Sequence, residues 1–409
     1  MENKKEVLRF VAQAGHTLLE NGAEISRVEE TMDRISAHYG VEDSDFFVLS
    51  NGIFTTGESF AKAEYIPIRS SRLDKVVEVN QLSRDIVSQN LSLSQASLRL
   101  QAIKEKSARP LPIRLMAAMF GCSAFTIIFG GSVTDALAVF IVALLLDLFI
   151  IGICDKLFAK TLGSVLGGIV GTFLCMLFHK LGLGDNLPNM IVGTMILLIP
   201  GVAFTNGLRD ISGEDYLAGG TRLMDALMVF FCIALGVSLS FVLHRNFSGE
   251  PIVLHGMETD SLTSHVLFQV VASFVGTVFF SLLFGAPSRN CIPCGVVGML
   301  GWLSYLLCVR YTGWGVVFAT FIASTLVAVC SRAAARLQKC PEIVYLVCGI
   351  FPLIPGAGVF WGSYYLVSGQ FYEAISSGFM SVKITIAIVF GILVADNILW
   401  RRSRSFTTK

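Results

Sequence analysis

Met195-Ile-Leu-Leu-Ile-Pro-Gly-Val-Ala-Phe-Thr-Asn-Gly-Leu-Arg-Asp210 opens as an apolar helix, breaks at Pro200-Gly201 and runs on through Asn206, Arg209 and Asp210. A proline within a helix removes one backbone hydrogen bond and clashes with the preceding turn. In lipid, that defect survives only where protein or a water-filled cavity satisfies the freed groups. Leu353-Ile-Pro-Gly356 repeats the phrase inside another apolar segment. Two broken helices at matching places in two halves of a chain point to a transporter binding site.

The totals agree with a membrane protein. Apolar residues are 54% of the 409 and charged residues 15%, where a soluble domain carries about a quarter charged. Residues 1–110 hold 14 of the 31 Lys and Arg and 16 of the 30 Asp and Glu, so the remainder is depleted of charge. A net charge of +1 gives no reason to propose nucleic acid as a partner. The first residues, Met-Glu-Asn-Lys-Lys-Glu, lack the apolar core of a signal peptide.

Residues 1–110 read as a small α+β domain in water. Apolar residues three and four apart predict two helices over 4–39 meeting at Asn21-Gly22, and helical spacing returns over Leu73–Gln89 and Ser94–Lys106. Val41–Thr56 and Lys62–Ile68 read as short strands around the Asn51-Gly52 turn. No nucleophile–base or phosphate-loop pattern stands out, and an enzyme is not expected.

Beyond Pro110, apolar segments of spanning length lie near 113–130, 133–154, 161–179, 188–205, 222–244, 263–285, 291–311, 313–333, 341–361 and 372–400. Ten spans place both termini on one side. The loops on that side carry Lys156, Lys160, Arg209, Arg222, Arg289, Arg332, Arg336 and Lys339, against Lys180, Arg245 and Arg310 opposite. The basic side belongs in the cytoplasm.

Phe125-Thr-Ile-Ile-Phe-Gly130 resembles Phe280-Ser-Leu-Leu-Phe-Gly285, Leu198-Ile-Pro-Gly201 matches Leu353-Ile-Pro-Gly356, and Gly236 meets Gly391, each at an offset of 155. A constant offset implies two five-helix repeats. Five is odd, so the second copy enters the membrane upside down, the inverted-repeat plan of many secondary transporters. The expected fold is an all-α polytopic membrane protein of about ten spans with a cytoplasmic α+β domain. Its expected parts are 1–110, a first repeat over 111–250, a second over 263–400 and a basic cytoplasmic tail over 401–409.

Ionisable residues inside spans are costly and are functional candidates by default. Asp147 lies well inside the second span and Lys383 near the middle of the tenth. They form either a structural ion pair or a proton and substrate-charge site, with Asp147 the candidate proton carrier and Lys383 its partner or a carboxylate contact. Asp225 and Asp396 lie where side chains reach the interface, and Asp135 reads as a helix cap. At the breaks, Pro200, Gly201, Pro355 and Gly356 free backbone groups that can bind the ends of a zwitterion. Asn206 and Asp210, four residues apart, add polarity on one helical face. Cys291-Ile-Pro-Cys294 has no second pair or neighbouring histidine, so no metal or other cofactor is expected. The absence of a Gly-Lys-Ser/Thr loop points to an ion gradient rather than ATP.

Gly22-Ala-Glu-Ile-Ser-Arg-Val-Glu-Glu-Thr-Met32 followed by Tyr39-Gly40 resembles the entry motif of the threonine/serine exporter family. Pro200-Gly201, Asn206-Gly-Leu-Arg-Asp210, Gly213-Glu-Asp215, Gly219-Gly and Arg222 resemble its signature around the fourth span, and 265–399 resembles its second module. The resemblance covers nearly the whole chain, in a fused arrangement. It implies an inner-membrane exporter of small amino acids driven by the proton-motive force, with dicarboxylate export as the alternative on the same scaffold. The second module has Phe360-Trp361-Gly362 where the first has Asn206, so the two breaks are not chemically equivalent. A membrane-anchored sensor is the rival of a different class, but an anchor needs neither ten spans nor paired breaks. Expected partners are the small-molecule substrate, protons and the bilayer, with homo-oligomer formation left open.

Overall fold

The computed structural model describes residues 4–57, 60–66, 71–248 and 263–404. The N-terminal domain consists of α1 (Lys4–Glu20), α2 (Ile25–His38), β1 (Ser44–Leu49), β2 (Gly52–Gly57), β3 (Phe60–Tyr65), α3 (Leu73–Gln89) and α4 (Leu93–Glu105). The strands form an antiparallel meander in the order β1-β2-β3, with Phe47 opposite Phe54 and Phe54 opposite Ala63. Its core is the apolar stripe of α1 and α2, including Val11, Leu18, Val28, Met32 and Ile35, closed by Val76 and Ile86 of α3. The helix junction at Asn21-Gly22 and the hairpin at Asn51-Gly52 are as expected, while residues 67–68 of the expected last strand lie outside the described residues.

The membrane part follows as α5 (Leu111–Ile128), α6 (Val133–Phe149) continued by a π-helical turn (Ile150–Cys154) and α7 (Asp155–Leu157), and α8 (Lys160–Lys180). Then come α9 (Leu187–Met195) with a 3-10 turn (Ile196–Leu198), α10 (Gly201–Ser212) and α11 (Tyr216–Ser248). The remaining elements are α12 (Val266–Leu283), α13 (Ser288–Tyr311), α14 (Val316–Gln338), α15 (Ile343–Ile350) with a 3-10 turn (Phe351–Leu353), α16 (Gly356–Val367) and α17 (Phe371–Arg404). Among the described residues, eight helices are long and apolar enough to cross a membrane, and up to ten crossings result if each bent pair is one span. The expected tail over 401–409 lies largely outside the described residues.

Both breaks sit at Pro-Gly. The chain bends by 69° between the segments before and after Pro200 and by 45° at Pro355. Gly201 and Gly356 each donate their N–H to the carbonyl two residues back, on Ile199 and Ile354, at 2.8 and 2.7 Å. Beyond each break a new helix starts. The fourth span therefore ends near Ser212 and the ninth near Val367, not at 205 and 361, because proline starts a helix as readily as it interrupts one.

The offset of 155 holds for whole elements: α5 and α12 coincide at both ends, as do α10 and α16, and the other pairs agree within a few residues. At the centre, a Cβ on Gly121 would meet the Phe280 ring at 2.7 Å and one on Gly276 would meet the Phe125 ring at 3.0 Å. The two rings lie edge to face at 5.1 Å. Advancing one turn along α5 from Gly121 to Phe125 means retreating one turn along α12 from Phe280 to Gly276, so these equivalent helices cross antiparallel.

The two cores interlock. Leu73 and Val77 of α3 belong to the membrane core, and Ala218 of α11 belongs to the core of the N-terminal domain. Within the membrane, α8 and α11 touch backbone to backbone, since a Cβ on Gly236 would fall 2.3 Å from the Val165 carbonyl oxygen and 3.0 Å from Gly168 Cα. Small residues permit this approach between helices that lipid does not push together. Gly236→Ala must therefore separate α8 from α11, and a loss of about 1–3 kcal/mol is expected from overpacking. Gly220→Ala, which meets open space, is expected to leave melting unchanged, and thermal unfolding of the detergent-solubilised pair checks this.

Candidate functional site

Polar residues around the first break converge on the side of the membrane that carries the N-terminal domain. Asn206 and Asp210 stand one turn apart on α10, as their spacing demands, and both are buried. Their partners are not in the membrane region alone. Asn206 Nδ2 donates to the Gly22 carbonyl at 2.8 Å, and the Ile25 N–H donates to Asp210 Oδ1 at 3.4 Å. Arg222 of α11, only 1% exposed, bridges the two regions. Its Nη1 meets Asp210 Oδ2 at 2.6 Å and its Nη2 donates to the Ala23 carbonyl at 2.9 Å. The turn between α1 and α2 thus enters the polar face of the broken span.

Arg209 points to the other side of α10, into a second ionic cluster. It contacts Asp396 at 2.6 Å, Glu342 at 3.5 Å and Glu24 at 3.6 Å. Arg332 completes the cluster by holding Glu342 at 3.1 Å and by pairing with Asp396. Residues from α10, α14, α17, the start of α15 and the N-terminal turn are thereby tied together near one membrane face.

Further contacts seat the domain. Leu73 and Asp74 donate backbone N–H groups to the Phe284 and Gly285 carbonyls at the end of α12, at 3.2 and 2.8 Å. Arg84 Nη2 donates to the Lys339 carbonyl at 3.1 Å, and Thr221 Oγ1 donates to Ser50 Oγ at 2.8 Å. Burial pushes the Asp74 carboxyl up, but the Arg72 guanidinium and the Lys106 ammonium outweigh it and hold the group below the ordinary carboxylate range. A depressed carboxylate stabilises the fold above its unfolded pKa and loses that contribution as pH falls through the folded value. The Arg72–Asp74 link is therefore intact at neutral pH.

The second break opens on a cavity of about 470 Å³ on the far side of the membrane. Its walls include Pro355, Trp302, Tyr305, Trp361 and Tyr365, with hydroxyls from Thr320, Ser377 and Ser381, and among the described residues no charged side chain lines it. The indole of Trp302 stacks on Tyr305 at 4.9 Å and that of Trp361 on Tyr365 at 5.4 Å. Ala357 and Gly358, in the first turn of α16, also face it, so helix-starting N–H groups and aromatic faces share one space.

Asp147 and Lys383, considered together in the sequence, lie apart. Asp147 Oδ1 pairs with Arg114 of α5 at 3.0 Å, with Asp155 also within 4.0 Å of that guanidinium, while Lys383 is exposed on α17 and no described residue pairs with it. Span depth located both residues but not the face each occupies. Asp135 does cap α6, sharing a capping box with Ser132 and accepting the Asp185 and Asn186 N–H groups. Asp225 is exposed. Cys291 and Cys294 are both free, and Cys294 faces the Val344 carbonyl. Arg114, Glu342 and Glu24 were missed as partners. Glu342 had one signal, as a lone acid directly after Pro341 in a basic loop.

Residues 9–244 match the family described as "Putative threonine/serine exporter", more than half of the chain, and 269–398 match "Threonine/Serine exporter, ThrE". The chain belongs to the threonine/serine exporter family. Among curated members of this exporter family, it is 23% identical over 419 residues to a threonine/serine exporter of Corynebacterium glutamicum, covering 97% of this chain and 83% of that protein. It is 22% identical over 380 residues to a probable threonine/serine exporter of Mycobacterium tuberculosis, covering 87% and 69%. An uncharacterised protein of Schizosaccharomyces pombe is 25% identical over 181 residues, covering 42% of this chain and 22% of that one. No solved structure matches.

In this exporter fold the Arg222–Asp210 pair is the most deeply buried charge pair described. Arg222→Gln leaves a buried carboxylate without its cation, and a loss of about 3–5 kcal/mol is expected. Arg222→Gln combined with Asp210→Asn is expected to recover part of that loss. Melting of the purified full-length proteins measures both.

Proposed function

We propose that this protein exports threonine or serine across the inner membrane by alternating access, using the proton-motive force. The observation that carries the reading is the contrast between the two breaks: a charge-free, aromatic-walled cavity at Pro355 and a tightly packed polar closure at Pro200. A zwitterion has no net charge, so helix-end dipoles and polarisable faces can hold it in the cavity, without the full counter-charges that the first break supplies. The absence of a cation from the cavity wall weighs against a dicarboxylate.

The direction of transport rests on sidedness. The basic loops favour a cytoplasmic N-terminal domain and termini; on that reading the closed face is cytoplasmic and the cavity faces outward. The shared 155-residue offset and the antiparallel crossing of α5 and α12 support two inverted repeats about one axis. Rocking one repeat against the other would then exchange the two faces. On this reading Pro200, Gly201, Asn206 and Asp210 shape the inward site, and Pro355 and Gly356 the outward one. Lys383 is exposed on α17 and is not among the residues that line the cavity.

Asp147 is the proposed proton carrier, with Arg114 as the cation that receives its charge. One carboxylate oxygen accepts from Arg114 while Oδ2 is buried without a partner among the described residues. An intramembrane carboxylate with a free oxygen and a releasable cation can alternate between paired and protonated forms. In proteoliposomes, Asp147→Asn is expected to lose gradient-driven threonine and serine flux by tenfold or more while melting as the parent does. Parent-like coupled flux in that variant removes Asp147 from the mechanism, and succinate flux with no amino-acid flux would change the substrate.

A further inference from the structure

The turn between α1 and α2 touches five residues of the membrane region, one of them Arg209, which Glu24 meets at 3.6 Å. Gly22 lies against Val202 and Asn206, Ala23 against Arg222, and Ile25 against Asp210. Adding the repeat offset of 155 to Val202, Asn206, Asp210 and Arg222 gives Ala357, Trp361, Tyr365 and Ser377. All four of these line the far-side cavity, while Arg209 maps onto Tyr364, which is not among its lining residues. The space that stands open at the second break is thus filled, at the first, by the Asn21–Ile25 turn.

The groups the turn presents match those of a free amino acid. The Ala23 carbonyl oxygen lies on Arg222, where a carboxylate would bind more strongly, and the Ile25 N–H lies on Asp210, where an ammonium would. The Gly22 carbonyl lies on the amide nitrogen of Asn206. Asn206 Oδ1 and Arg222 Nε are buried with no partner among the described residues, although Asn206 is 2% exposed and Arg222 1%. A peptide turn uses this polar set incompletely. A hydroxy amino acid brings an anion, a cation and an O–H donor that could reach Asn206 Oδ1.

We propose that Asn206, Asp210 and Arg222 form the domain-side binding site for a small zwitterionic amino acid, and that the Asn21–Ile25 turn occupies it as a tethered competitor. Substrate entry then requires the turn to withdraw. Withdrawal also takes Glu24 from Arg209 and so loosens the cluster that joins α10 to Asp396 and Glu342. The proposal rests on the exporter reading, and adds a substrate site and its built-in inhibitor to it.

A clamp tests it. Ser50 Oγ and Thr221 Oγ1 are 2.8 Å apart across the junction and lie outside the proposed site, so cysteines there fall within disulfide reach. In proteoliposomes holding the full-length Ser50→Cys/Thr221→Cys protein, oxidation is expected to lower threonine and serine flux at least tenfold, with recovery on reduction. Each single variant should transport as the parent does. Unchanged flux after complete oxidation overturns the plug and leaves the exporter reading standing. A second measurement does not depend on flux: the labelling rate of Glu24→Cys, in the full-length protein, by a membrane-impermeant maleimide. Labelling is expected to be slow, to accelerate severalfold when threonine or serine is added, and to stay slow in the oxidised clamp. Fast labelling without amino acid, or no response to it, overturns the competition. If the parent moves neither amino acid, the exporter reading fails and the labelling result alone decides whether the turn blocks the site.

Discussion

A guanidinium sealed inside a membrane protein must find its partners in protein, and Arg222 draws them from two parts of the chain at once, with only Nε left without one among the described residues. Asp210 neutralises it, and the Ala23 carbonyl takes a second N–H. Neither α10 nor α11 could bury these groups alone, because an unpaired charge in that setting costs several kcal/mol. The N-terminal domain is therefore a structural component of the transport region. Its Ala218 contact and the exchange of Leu73 and Val77 into the membrane core extend the same dependence to apolar packing.

The repeats show how one backbone plan carries two chemistries. Both breaks use Pro-Gly, the same short N–H to carbonyl closure and a following helix of equal length. The side chains beyond them diverge: Asn206 and Asp210 in one copy, Trp361 and Tyr365 in the other. Polar groups close the first break through hydrogen bonds with the turn. Rings, two pairs of them stacked, and hydroxyls line a cavity at the second. Backbone equivalence and side-chain divergence thus give the two breaks different surroundings.

Much of the architecture was legible in residue order. Span length, the two Pro-Gly phrases and the offset of 155 are linear properties, and apolar spans of about twenty residues leave few other structures in lipid. The Asn21-Gly22 junction and the Asp135 cap were legible for the same reason, because turn and cap chemistry acts over a few residues. Asp147 and Lys383 show the limit. Both are ionisable and deep in their spans, yet one pairs with Arg114 and the other is exposed on α17. A charge's depth follows from its position in a span, but its partner follows from the rotation of that helix against its neighbours.

The sequence by itself determined a polytopic membrane protein with a polar N-terminal domain, two related halves and a family signature, because hydropathy, helix breaking and motif spacing are local. Only the tertiary structure decided what the signature touches. Asn206 and Asp210 are separated from Gly22 and Ile25 by more than 180 residues, and no local rule states that a turn of the N-terminal domain will supply partners for the polar face of a broken membrane helix. That choice depends on the packing of α3 against α12 and of α11 against the domain core, where burial of apolar area fixes the distance and hydrogen bonds then select the register.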